Sequence, residues 1–141
     1  MRLSIRNQLD GTIVAVHRGE AMATVRTRLA GGGHELTAAI TTDAVDELKL
    51  AAGQPVIMLV KATEVAVATG EVGDVSIRNQ LPARIAAVTP GGALTTLRLA
   101  LDGGGDLTAV VTNDAVNDLD LTEGDEVLAL VKATQVSVAT A

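Results

Sequence analysis

Ser4 and Arg6 stand two residues apart, and the same pair recurs as Ser76 and Arg78. Lys61 and Thr63 recur in the same way as Lys132 and Thr134. These are hydrogen-bond donors of one kind: two cationic types and two hydroxyl types. A tetrahedral dianion needs positive charge and several N–H or O–H groups pointing inward. Arginine offers a planar fork of donors, lysine a point charge. Backbone N–H groups at Ile5, Ala62, Ile77 and Ala133 can add donors, as in an anion nest. The chemistry these positions support is therefore the capture of a small oxyanion.

The setting makes that retention informative. The chain is acidic, with net charge -6, and has only three lysines, of which Lys61 and Lys132 are two. Other basic residues lack a basic counterpart: Arg18 matches Pro90, Arg28 matches Ala100, and Lys49 matches Asp120. Arg26 and Arg98 are shared but have no donor cluster around them, so they read as structural.

The shared residues lie in two doubled phrases. S-I-R-N-Q-L runs from Ser4 to Leu9 and from Ser76 to Leu81; L-V-K-A-T runs from Leu59 to Thr63 and from Leu130 to Thr134. The copies lie about 72 and about 71 residues apart, so the chain is two versions of one module. The expected layout is a first domain over 1–69, a linker over 70–74 and a second domain over 75–141. Modules this small bury a limited share of their surface. The chain has no Phe, Trp, Tyr or Cys, yet 48% of its residues are hydrophobic. An aliphatic core of that kind predicts intimate packing between the modules and assembly into a homo-oligomer.

Each half has the same element signals. Strand patterns cover Leu3 to Val16 and Val75 to Val88, then Ala23 to Leu29 and Thr95 to Leu101. Gly31-Gly32-Gly33 and Gly103-Gly104-Gly105 predict turns with positive φ. Strands Leu36 to Ile40 and Leu107 to Val111 follow. Thr42 to Leu48 predicts a short helix capped by Thr42 or Asp43, and Asn113-Asp114-Ala115-Val116 repeats the signal. Final strands are predicted over Val56 to Val67 and Val127 to Val138. On a strand, Ser4 would share a face with Arg6, and Lys61 with Thr63. The predicted fold class is all-β: two tandem OB-like five-stranded barrels, each with one short helix.

Several function classes are disfavoured. His17 and His34 have no counterparts and no metal-ligand spacing, so no metal site is predicted beyond a metal carried as an oxyanion. Neither glycine run continues into a P-loop. No repeated His accompanies Ser4, so neither nucleophilic catalysis nor a catalytic cofactor is supported, and the reading is a binder rather than an enzyme. An OB fold that binds nucleic acid stacks bases on aromatic rings, and this chain has none. Its acidic balance also disfavours nucleic acid and anionic membranes. Lys61 and Lys132 interrupt the apolar stretches well short of a membrane span. Met1 to Ser4 begins no signal-peptide pattern, and the predicted compartment is the cytoplasm.

The order S-I-R-N-Q-L-x-G-T-I, a glycine turn, I-T-x-D-A-V-x-x-L-x-L-x-x-G and V-K-A-T-x-V resembles the Mop, or TOBE-type, molybdate-binding domain. The tandem copies resemble the two-domain molbindins of the ModG type, over nearly the whole chain. The resemblance implies OB-like domains, trimers of two-domain chains, and molybdate or tungstate held between modules as bound ligand. It implies as ligands Ser4, Arg6, Lys61, Ala62 and Thr63, with Ser76, Arg78, Lys132, Ala133 and Thr134; the backbone donors at Ile5 and Ile77 complete the candidate set. Storage or buffering of the oxyanion is the implied role; the alternative is a sensor subunit of a molybdate-responsive regulator or transporter. Some relatives have Ser where this chain has Ala44 and Ala115, so that hydroxyl is lost in both halves.

Overall fold

A computed structural model describes residues 1–140; Ala141, the last residue of the expected second domain, lies outside them. The chain forms two five-stranded antiparallel sheets with matching element order. In the first half these are β1 (Asn7–Arg18), β2 (Met22–Leu29), β3 (Glu35–Thr41), α1 (Thr42–Leu48), β4 (Pro55–Val60) and β5 (Ala66–Ala68). In the second they are β6 (Asn79–Pro90), β7 (Leu94–Leu101), β8 (Asp106–Thr112), α2 (Asn113–Asp118), β9 (Glu126–Val131) and β10 (Val136–Ala139). Two strongly curled sheets with two short helices are the predicted all-β class.

The alternating pattern of β2 makes one face. Ala23, Val25, Thr27 and Leu29 point inward and Met22, Thr24, Arg26 and Arg28 outward, as a period of two requires. The long strands β1 and β6 bend without breaking. Each has a register shift at one place, between Ile13 and Ala15 and between Ile85 and Ala87. A bulge adds local twist and curls the sheet. The glycine turns behave as predicted: Gly31 and Gly33, then Gly103, Gly104 and Gly105, all have positive φ. Helix α1 spans the predicted residues, but its cap is Thr41, whose hydroxyl accepts from the Ala44 N–H. Thr112 does the same for Ala115 in α2.

The sheet order carries the main finding. The first sheet runs β10-β4-β1-β2-β3 and the second β5-β9-β6-β7-β8. The last strand of each half therefore pairs in the sheet of the other half. Val136 lies opposite Val60 and Ala139 opposite Ile57, while Ala66 lies opposite Leu130 and Ala68 opposite Leu128. These pairs share one antiparallel register. The segment from β4 to β5 and the segment from β9 to β10 form a single ribbon crossing between the halves. The predicted final strands Val56 to Val67 and Val127 to Val138 are each divided at the crossing. There, 3-10 turns occupy Ala62–Glu64 and Ala133–Gln135. One buried aliphatic cluster contains Ile13, Val25, Met58 and Val65 together with Ile85, Leu97, Leu107 and Val136, so the halves share a core.

A second interlock joins the halves. Asn7 is 4% exposed and Asn79 is 3% exposed. Asn7 donates from Nδ2 to the Thr108 carbonyl at 2.8 Å and accepts the Thr108 N–H on Oδ1 at 2.7 Å. Asn79 makes the same pair with Thr37, at 2.8 Å in both directions. Each amide thus imitates a strand, saturating one residue on the edge of the opposite sheet.

One of the core positions at which the halves differ buries a lone hydroxyl. Thr27 is fully buried and, among the described residues, its hydroxyl has no hydrogen-bond partner; its counterpart is Leu99. Val has nearly the shape of Thr without the orphaned hydroxyl. Thr27→Val is expected to stabilise the chain by about 1 kcal/mol, the desolvation cost of an unpaired buried hydroxyl. Urea unfolding followed by far-ultraviolet circular dichroism measures it, and a lowered midpoint would show that the hydroxyl has a partner in solution.

Candidate functional site

The two doubled phrases meet because of the register. In the first sheet Asn7 lies opposite Val60, and in the second Asn79 lies opposite Val131. Arg6 and Lys61, and likewise Arg78 and Lys132, therefore stand at adjoining strand ends. The strand exchange then adds the other half. The last paired residues, Val136 with Val60 and Ala66 with Leu130, lead Gln135 toward Lys61 and Glu64 toward Lys132. One pocket, of ≈ 150 Å³, is lined by Ile5, Leu59, Lys61 and Glu64 from the first half and by Thr134, Gln135 and Ser137 from the second. Its counterpart, ≈ 240 Å³, combines Thr63, Glu64, Val65 and Ala66 with Ile77, Leu130, Lys132 and Gln135. Two pockets thus sit on either side of the crossing, each with one lysine and one threonine from opposite halves.

That composition corrects one expectation. Lys61 and Thr63 do not share a strand face, because the chain enters a 3-10 turn at Ala62. Lys61 keeps extended geometry, while Thr63 crosses to the other pocket. The second half repeats this at Lys132, Ala133 and Thr134. The Glu64 N–H bonds to the Lys61 carbonyl at 2.9 Å and the Gln135 N–H to the Lys132 carbonyl at 2.9 Å. So short a turn leaves the N–H groups of Ala62, Thr63, Ala133 and Thr134 without a partner inside it. Sequence alone hides this change, since V-K-A-T-x-V reads as continuous strand.

Residues Ser4, Ile5 and Arg6 also depart from expectation. They precede β1 and are not strand; Ser76, Ile77 and Arg78 precede β6 in the same way. Arg6 folds back, its Nη2 donating to the Leu3 carbonyl at 2.8 Å and its Nε to the Ser4 carbonyl at 3.2 Å. Gln8 donates to the Ile5 carbonyl at 3.1 Å. Arg78 and Gln80 repeat the pattern on Val75, Ser76 and Ile77. Three consecutive carbonyls are thereby occupied by side-chain donors. In this state the arginines order the loop, and Ser4, Arg6, Ser76 and Arg78 are exposed beside the pockets without lining them.

Among the described residues, ion pairs involve only cations outside the two doubled phrases, although Arg2, Lys49 and Arg98 are also unpaired. Arg18 pairs with Asp46, Arg26 and Arg28 with Glu35, and Arg84 with Glu126. Among the described residues, Arg6, Lys61, Arg78 and Lys132 form no ion pair. Two other cavities carry none of these four. One, ≈ 570 Å³, runs along Asp10 to Val14 and Arg28 to Ala30; the other, ≈ 240 Å³, lies between the glycine turns and includes Asp10 and Asp106. His17 is exposed, and the His34 ring meets the Asp102 carbonyl across the two glycine turns. Among the described residues, no group of His, Cys, Asp and Glu is arranged to hold a metal ion.

Comparison with known proteins decides the family. The TOBE domain pattern matches residues 3–67 and again 75–138. The chain belongs to the TOBE domain family. Its tandem TOBE structure superposes on the cytoplasmic molybdate-binding protein ModG, in a crystal form with molybdate bound. The TM-score is 0.96 at 35% identity, and all of both chains is covered. Curated relatives include the molybdenum transport protein ModE of Herbaspirillum seropedicae, 37% identical over 99% of this chain and 52% of that protein. Another is the molybdenum-pterin-binding protein MopA of Rhodobacter capsulatus, 39% identical over 99% of this chain and 52% of that protein. The tandem TOBE unit thus spans about half the length of these curated relatives. Among the described residues, no helix is long and apolar enough to cross a membrane.

Proposed function

We propose that this chain is a cytoplasmic binding protein for molybdate or tungstate, serving storage or buffering, and is not an enzyme. The observation that carries the reading is the pair of composite pockets. Each joins an unneutralised lysine to a threonine from the other half. The likeness to ModG over the full length of both chains supports it.

The ligand groups are those of the two phrases. Lys61 and Lys132 supply charge, Thr63 and Thr134 hydroxyls, and Ala62 and Ala133 backbone N–H groups. The loops Ser4-Ile5-Arg6 and Ser76-Ile77-Arg78 close over the oxyanion, with each arginine turning its donors from loop carbonyls to the anion. The charged and hydroxyl side chains among them are exposed in one chain, so the enclosed site forms between copies in a homo-oligomer, a trimer. Enclosure removes water and strengthens each charge-assisted bond. Binding at an interface also tightens the assembly by mass action. Nucleic acid and membrane are not partners.

Titration calorimetry with molybdate and sulfate tests the proposal. The expected result is saturable binding of molybdate, with sulfate weaker by about tenfold or more, a difference of roughly 1.4 kcal/mol. No heat with molybdate, or equal affinity for both anions, overturns it. The similarity to ModE supports a second reading, a sensor unit acting with a regulator or transporter. A stoichiometric protein partner recovered with the chain from cells would favour that reading over a free-standing store.

A further inference from the structure

Each pocket has one lysine, one threonine and one isoleucine, but Ser137 lines the first where Ala66 lines the second, and the carboxylate beside them has no counterpart. K-A-T is followed by Glu64 in the first half and by Gln135 in the second. Both residues end their 3-10 turns at the crossing of the ribbon, and both line both pockets. Glu64 is the only carboxylate in either lining. It is half-buried, and among the described residues it makes neither an ion pair nor a side-chain hydrogen bond. Its own segment, Thr63 to Ala66, lines the Lys132 pocket, whereas the matching segment with the neutral Gln135 lines the Lys61 pocket.

A carboxylate at this place has no structural task that a neutral amide of the same shape would not perform. Its effect on an anion is repulsion, and the repulsion is greatest where the separation is least. Resting on the oxyanion-binding reading above, we propose that Glu64 sets the affinity of both pockets and makes them unequal. The Lys132 pocket is the weaker and the Lys61 pocket the tighter. A neutral residue at both positions would remove the charge difference between them. The single carboxylate also lowers the total charge that two nearby anions must face, so occupation of one pocket bears on the other through a residue they share.

The test uses the full chain and molybdate. The wild-type isotherm should resolve a tighter and a weaker class of site. In Glu64→Gln the weaker class should tighten by about tenfold, drawing the two classes together, with a smaller gain in the tighter class. The gain should shrink on raising the salt from about 0.01 M to about 0.5 M, because screening removes a charge effect and leaves a packing effect unchanged. Gln135→Glu should act in the opposite sense and weaken the Lys61 pocket, which keeps the test intact even if Glu64→Gln lowers stability. If the wild type binds molybdate and the Glu64→Gln isotherm superposes on it, the role of Glu64 is overturned while the binding reading stands. If no form binds molybdate, both fall.

Discussion

Replacing Asn7 and Asn79 together by alanine is expected to cost the chain about 4 kcal/mol of stability, roughly 2 kcal/mol for each. Each truncation removes two hydrogen bonds and also leaves the N–H and carbonyl of Thr108, or of Thr37, facing a cavity. Unpaired groups of that kind carry most of the penalty. The two asparagines are in different sheets and share no partner, so their effects should add. Against a typical total of about 5–15 kcal/mol, the double variant sits near the edge of folding. Urea unfolding followed by circular dichroism is the measurement, since the chain has neither Trp nor Tyr to report fluorescence. Asn7→Asp makes a useful companion, because it keeps the acceptor and loses the donor. A double variant within about 0.5 kcal/mol of wild type would mean that water replaces both amides and that the interlock contributes little.

Much of this fold is legible in the chain because its halves repeat. Alternation in Ala23 to Leu29, glycine at the positive-φ turns and Asp in the first helical turn each have a local physical cause. The strand exchange has none. Val65 and Val136 are as apolar as any residue that would return to its own sheet, and nothing local says which sheet receives β5 or β10. That choice depends on the 3-10 turns at Ala62 and Ala133, which redirect the chain, and on the shared core. The site suffers the same fate. Its residue types follow from what both halves retain, but its partners do not, because Lys61 meets Thr134 only through the exchange. Asn7 and Asn79 were also open to view inside the doubled phrase. A search for charged donors passes over them, although an amide kept at a buried strand start is itself a sign of a backbone partner.

The sequence phrase S-I-R-N-Q-L can now be divided by task. Asn binds across to the other half, Gln and Arg hold the loop carbonyls, and Leu enters the core, with Leu81 3% exposed and Leu9 partly buried. Positioning thus occupies most of a phrase whose composition suggests ligation. An arginine already holding two carbonyls can turn to an anion only by giving them up. On the proposed reading, ligand capture and loop order are linked through Arg6 and Arg78.

The composite pockets have a consequence that a pair of self-contained modules would not share. Lys61→Ala is expected to weaken its pocket by roughly ten- to a hundredfold, the loss of one charge-assisted contact of about 1.5–3 kcal/mol. Lys132→Ala should do the same to the other pocket, and the double variant should bind little molybdate at all. Neither lysine is in an ion pair, so stability should hardly change. The cross-terms decide the geometry. Lys61 and Thr134 line one pocket, so Lys61→Ala and Thr134→Ala should be strongly non-additive in a double-mutant cycle on that pocket's affinity. Lys61→Ala and Thr63→Ala, neighbours in sequence but lining different pockets, should add. If instead the coupling falls between Lys61 and Thr63, each half binds with its own donors, and the exchanged ribbon is a scaffold with no part in recognition. Affinity is read by calorimetry for each single and double variant, with matched circular dichroism to confirm that all remain folded. On the proposed reading, the exchange of two short strands determines which residues form one site, because it carries the threonine of each half to the pocket of the other half's lysine.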